Sequence, residues 1–177
     1  MTTQVIVLNG GSSSGKTDIA RCLQAILPLP WIRIGVDDLL DALPPSLTVA
    51  DSGVNFGPHG EVSVGDGFRA IEAAWMSGIG AMARAGARVI IDEVFLGGGA
   101  SQERLRAHLT GLEVLWVGVR CAPAVAAGRE VARGDRVSGM ATSQSELVHQ
   151  GVLYDLEVDT SQVESLDCAR QIAARLL

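Results

Sequence analysis

Lysine is almost missing from this chain. Its 177 residues carry 14 basic side chains, of which only Lys16 is a lysine; arginine supplies the rest. The basic side chains are outnumbered by 20 acidic ones, and the net charge of −6 argues against broad nucleic-acid binding, because contacts along a phosphate backbone need a basic surface. Long apolar runs are missing too. No stretch approaches about 18 residues without a charge, a glycine or a proline, so no membrane span is expected. Cysteine is scarce: Cys22, Cys121 and Cys168 are odd in number, far apart and without metal-ligand spacing. They read as small apolar residues of a reducing compartment. There are no internal repeats, linkers or low-complexity tails, and no basic segment leading into an apolar core before the first strand. The expectation is a cytoplasmic protein with one domain over 1–177.

What is present is a 47% hydrophobic, 19% charged sequence, the balance of a compact globular chain. Apolar strand-like runs alternate with segments of helical spacing. Strands are expected at Val5–Leu8, Trp31–Val36, Arg88–Asp92, Val114–Arg120 and Leu156–Val158. Between them, helices are expected over Asp18–Leu27, Asp38–Leu43, Phe68–Ala85, Ser101–Leu109, Ala124–Arg133 and Ala141–Gln150, with a last one over Ser161–Leu177. Pro44 to Gly67 is irregular, with a small hairpin expected around Gly57-Pro-His-Gly60, and reads as a binding loop or lid, with a solvated excursion as the alternative. Alternation of this kind predicts an α/β fold with a mostly parallel sheet, whose ligands bind beyond the strand C-termini.

That edge collects the chemistry. Val5–Leu8 runs into Asn9 and then Gly10-x4-Gly15-Lys16-Thr17, the spacing of a phosphate-binding loop between a strand and a helix. Gly10, Gly11, Ser12, Ser13, Ser14 and Gly15 let consecutive N–H groups face one phosphate, and the following helix adds its positive end. The lone Lys16 reaches the outer phosphates as a compact charge, and Thr17 offers a hydroxyl to Mg2+. Asp92 ends the apolar strand in VIIDE, the setting in which a carboxylate holds the same metal, and Glu93 is placed to share that role. Asp37 stands at the end of the second strand, where an acid can orient an acceptor hydroxyl and take its proton. Asp38 beside it is either a second acid or a helix cap. Arg129, Arg133 and Arg136 suit a lid over 129–140 that closes on a triphosphate. His59, His108 and His149 show no partner pattern and read as surface or capping residues.

These residues resemble those of the chloramphenicol phosphotransferase family of small P-loop kinases. The likeness runs end to end, through VLNGGSSSGKT, GVDDLLDALP, ARAGARVIIDEVFLGG, LWVGVRC, GREVARGDRVSGMA and YDLEVDTS. The resemblance implies a three-layer α/β/α fold with a five-stranded parallel sheet, ATP as donor, and the primary 3-hydroxyl of chloramphenicol as acceptor. It places the base on Asp37, the phosphate loop on Gly10–Thr17, and the lid arginines on Arg133 and Arg136. Asp38 is a departure, since the family carries a small hydroxyl residue there. Val54, Phe56, Trp75, Val94 and Phe95 are the candidates to line the aromatic end of the acceptor. Two rivals stay open: a kinase for another small-molecule alcohol, and a nucleotide-binding regulator or NTPase with no alcohol acceptor. Oligomeric state is not legible.

Overall fold

The computed structural model describes residues 3–48, 52–57, 61–133 and 139–176, with the side chains of Thr48 and Arg133 left out. The fully buried strand β1 (Val5–Asn9) lies at the centre of a five-stranded sheet. It is flanked on one side by β5 (Val89–Glu93) and β2 (Ile32–Gly35), and on the other by β6 (Val114–Arg120) and β7 (Leu156–Asp159). Every pairing is parallel. The register sets Leu8 beside Asp92, Asn9 beside Glu93, and Gly35 beside Asp92, so the acids end level with the start of the phosphate loop.

Alternation along the buried strands divides the core into two layers. Ile6, Leu8, Ile90, Val117 and Val119 face α1 (Lys16–Ile26) and α8 (Ser165–Ala173), meeting Ile19, Leu23, Cys168 and Ile172. Val5, Val7, Val89, Ile91 and Trp116 face α4 (Asp66–Arg84) and α5 (Gly99–His108), meeting Met76, Ile79, Ala83 and Leu105. The fold is the expected α/β/α sandwich with five parallel strands. Gly86, at φ +102°, ends α4 as the residue after its cap.

The chain between β2 and α4 departs from the expected outline. Helix α2 (Val36–Ala42) starts two residues before Asp38, because the Asp38 carboxylate accepts the Gly35 N–H at 2.6 Å and pairs with Arg33 at 3.3 Å. Asp38 is therefore a cap, which leaves Asp37 inside the first turn. A single turn, α3 (Pro45–Thr48), follows where none was expected, with proline at its first position. The expected hairpin is present as β3 (Val54–Phe56) paired antiparallel with β4 (Val62–Val64); it forms a sheet of its own over a small cluster of Leu39, Val54 and Phe68. On the other side of the molecule, α6 (Pro123–Arg133) packs against α7 (Met140–Leu147). Their joint is Glu130, a buried carboxylate that accepts the Gly139 and Ala141 N–H groups at 2.8 Å each. Among the described residues no helix is long and apolar enough to cross a membrane.

Candidate active site

The loop after β1 turns sharply, and two glycines permit it. A Cβ on Gly10 would stand 2.6 Å from the Val119 carbonyl oxygen, and Gly15 caps α1 at φ +89°. Ser13 also has positive φ, 58°, a strained setting for a non-glycine residue that belongs to functional turns. The side chains around the loop are engaged with one another. Lys16 Nζ donates to the Gly11 carbonyl at 2.9 Å and lies 3.8 Å from Asp92 Oδ1. Thr17 Oγ1 donates to Asp92 Oδ2 at 2.7 Å. Gln144 of α7 accepts the Ser12 N–H at 2.8 Å, and Thr160, just past β7, donates from Oγ1 to the Ser14 carbonyl at 2.7 Å.

Two polar atoms in this frame have no partner: the hydroxyls of Ser13 and Ser14 are both buried. Buried hydroxyls are normally satisfied, so a pair left open in a glycine-hinged loop at a helix N-terminus fits an anion. Thr17 and Asp92 offer two adjoining oxygen donors, the sparse protein set that suits Mg2+ when it brings water and phosphate oxygens of its own. Among the described residues there is no cluster of three or more His, Cys, Asp or Glu side chains fit to hold a metal by itself.

Behind the loop runs a polar network that the sequence did not announce. Asn9 Oδ1 accepts the Phe95 N–H at 2.9 Å, which sets its amide; Nδ2 then donates to the Val148 carbonyl at 2.8 Å and the Tyr154 hydroxyl at 2.6 Å. The Tyr154 proton is left for Nδ1 of His149, 2.6 Å away, so the ring proton sits on Nε2. Burial, helped by Arg120, pushes His149 down to about 4, and burial pushes Tyr154 up to about 12. Both are neutral at pH 7. His149 is thus a buried hydrogen-bonding residue and not a surface one, while the half-buried His108 has its Nδ1 3.0 Å from Ser77 Oγ. His59 lies outside the described residues.

The loop opens into a cleft of about 420 Å³. Ser12 to Thr17 and Asp92 line one part; Asp37, Arg33 and Leu40 line another. Val54, Phe56, Val62, Val64, Phe68, Val94 and Phe95 form an apolar wall, with Met76, Leu96 and Met140. So the structure brings Lys16, Thr17, Asp92 and Asp37 to one cavity, together with four of the five apolar candidates. Trp75 is not among the lining residues: its side chain packs between the α4 layer and the small cluster under the hairpin. Arg129 is turned to the flank of the loop, where it donates to Thr160 Oγ1 at 3.1 Å and the Thr160 carbonyl at 2.7 Å; its Nη1 is 3.8 Å from the position a Cβ on Gly15 would take. Arg136 and the Arg133 side chain lie outside the described residues.

Glu93, Glu72, Arg69 and Ser101 also line the cleft. Glu93 is buried, and desolvation pushes its carboxyl up to about 8, with Glu72 adding to the effect. Its place next to Asp92 in sequence suits a shared metal role. Consecutive strand residues point to opposite faces, and Glu93 turns to the α4 side, where Glu72 stands.

This architecture can be set against known proteins. A profile described as chloramphenicol phosphotransferase-like protein matches residues 3–177. The chain belongs to the chloramphenicol phosphotransferase-like family. A relative, the provisionally named O-phosphotransferase Rv2636 of Mycobacterium tuberculosis (strain ATCC 25618 / H37Rv), is 31% identical over 189 residues, covering 96% of this chain and 80% of its own. A sugar kinase from Janibacter sp. HTCC2649 superposes with a TM-score of 0.67 at 19% identity, over 98% of this chain and 94% of that one. The Mycobacterium tuberculosis APS kinase CysC, solved with AMPPNP and APS, gives 0.64 at 13% identity, over 98% and 96%. At those identities the structural likeness establishes the P-loop kinase fold, and family membership makes the chain a P-loop phosphotransferase.

Proposed function

We propose that this protein is an ATP-dependent O-phosphotransferase of the cytoplasm that phosphorylates the primary 3-hydroxyl of chloramphenicol and so confers resistance. The observation that carries the reading is the shared cleft, with a phosphate loop, an acid on the first turn of α2, and an apolar wall around one cavity. A polyol such as a sugar would set hydroxyls against Val54, Val62, Val64 and Phe68 without partners, so the wall favours an acceptor with an apolar body.

In this reading the loop amides, the Ser13 and Ser14 hydroxyls and Lys16 hold the β- and γ-phosphates of ATP. Thr17 and Asp92 would hold Mg2+, which when bound neutralises charge between those phosphates. Asp37 orients the acceptor hydroxyl and takes its proton as the new O–P bond forms and the bond to the β-phosphate oxygen breaks. Arg133 and Arg136 are the lid cations that meet the transferred group, and Arg129 supports the loop from its flank. Val54, Phe56, Val94 and Phe95 contact the acceptor.

The test is direct. Protein, Mg-ATP and chloramphenicol are incubated and the product mass is read; a mono-phosphorylated product is expected. No product above an ATP-only control overturns chloramphenicol as acceptor, and a panel of other apolar alcohols then separates a different acceptor from an NTPase whose turnover ignores acceptors.

A further inference from the structure

The phosphate loop and Asp37 leave two carboxyls of the cleft wall unused, Glu72 and Glu93. Glu72, on α4, is held from behind: Arg69 Nη1 donates to its Oε2 at 2.7 Å, and Arg104 Nε approaches the same oxygen at 4.0 Å. Arg104 is fixed in turn by Ser101 Oγ at 2.9 Å and the Ala100 carbonyl at 3.2 Å. Both arginine contacts fall on one oxygen of Glu72, which leaves the other without a donor among the described residues. Glu93 is more exposed chemically though less exposed to solvent. Its residue surface is 5% accessible, it lines the cleft, and among the described residues its carboxyl has a single hydrogen bond, from the N–H of its neighbour Val94 at 3.3 Å on Oε2.

A carboxyl this deeply buried ordinarily has its hydrogen bonds filled. Here one oxygen has no donor among the described residues, in a stretch of the cavity wall that also carries Phe68, Val94 and Phe95, and none of the described arginines pairs with it. We propose that Glu93, backed by Glu72, is the acceptor-specificity residue of this enzyme: it hydrogen-bonds a second hydroxyl or amide of the acceptor, away from the hydroxyl that receives the phosphoryl group. The acceptor class is then an amphipathic alcohol held at two polar points, Asp37 and Glu93, with an apolar body between them against Val54, Phe68 and Phe95. This rests on the phosphotransferase reading above.

The test compares two acceptors, chloramphenicol and 2-(4-nitrophenyl)ethanol, an aryl primary alcohol with no second hydroxyl or amide. The readout is the ratio of their kcat/KM values in wild type, Glu93→Leu and Glu93→Gln, with the thermal shift induced by AMPPNP as the check on folding. Wild type is expected to prefer chloramphenicol. Leu, which cannot hydrogen-bond, should cut that preference roughly 10- to 100-fold, chiefly through KM, while Gln, which keeps shape and hydrogen-bonding capacity, should hold it within about 3-fold. An unchanged ratio in Glu93→Leu, or an equal fall in kcat for both acceptors, overturns the proposal and leaves the phosphotransferase reading standing. Transfer to neither acceptor by wild type overturns the acceptor assignment, and this inference with it.

Discussion

The two parts of the cleft are built by different means. On the donor side nearly every group is cross-tied: Lys16 to Gly11, Thr17 to Asp92, Ser12 to Gln144 and Ser14 to Thr160, all over a central strand with no exposed residue. On the acceptor side the wall is a three-residue hairpin pair over a cluster of three buried side chains, and Phe56 is 50% exposed. Directional bonds fix a geometry, whereas apolar contact fixes little beyond area. A triphosphate presents the same oxygens in every cycle, so rigid donors lose nothing by waiting for it. An apolar wall accommodates shape, and it needs a polar point such as Glu93 to set an orientation.

Several substitutions would break or sharpen that contrast. Asp37→Asn touches the meeting point of the two sides; kcat is expected to fall about 10²- to 10⁴-fold with little change in ATP binding, read by single-turnover kinetics. Near-full rate in that variant would remove Asp37 as base. Lys16→Met strikes the donor side alone and should lower kcat about 10²- to 10³-fold while chloramphenicol binding, measured by calorimetry, survives. Phe56→Ser is the acceptor-side counterpart. It should raise the acceptor KM about 5- to 10-fold and leave the ATP KM alone, with a stability change within about 0.5 kcal/mol because the ring is half in water. An ATP KM that moves with it would show the two sides to be mechanically joined.

Thr160→Val keeps the shape but removes the hydroxyl tie to Ser14; a loss of about 1–3 kcal/mol in urea unfolding and a few-fold rise in ATP KM are expected. The last prediction concerns pH. His149 is held at about 4 against 6.5 in an unfolded chain, so between those values the unfolded state binds the extra proton. Stability should therefore fall as pH drops from about 6.5 towards 4, and the difference between wild type and His149→Gln in Tm against pH isolates that share. A difference curve flat across the window would mean that His149 is not the neutral acceptor of the Tyr154 hydroxyl.

Much of the donor side was legible because its signals are local. The branched run before Gly10 is a strand wherever it is buried, and the glycine and lysine spacing then demands one backbone path. The loop's supports were not legible, since Gln144, Tyr154 and Thr160 lie more than a hundred residues away and nothing in their own neighbourhoods marks them. Strand order belongs with them, as alternation predicts parallel pairing without saying that β1 takes the centre. His149 read as a surface residue because its partner, Tyr154, lies across a turn rather than at a helical interval. Asp38 shows the reverse: a three-residue step from Gly35 is a local signal, and it moved the start of α2 and settled which acid faces the cleft. Trp75 carried helical spacing that suits pocket and core equally, and packing chose the core.

The hairpin that bears Val54 and Phe56 leaves and rejoins the body of the protein at one place. Gly65 N–H meets the Gly53 carbonyl at 2.8 Å, and Phe68 N–H meets the Ser52 carbonyl at 3.0 Å. Because its stems are already clasped, a segment of other length spliced between them would close at modest entropic expense, about 0.6 kcal/mol for each doubling. It forms no strand of the main sheet, so such a splice would leave the phosphate loop and Asp92 in register. The hairpin is in effect a cassette, the part of this scaffold that recombination or an engineer would exchange to turn one phosphotransferase towards a different acceptor.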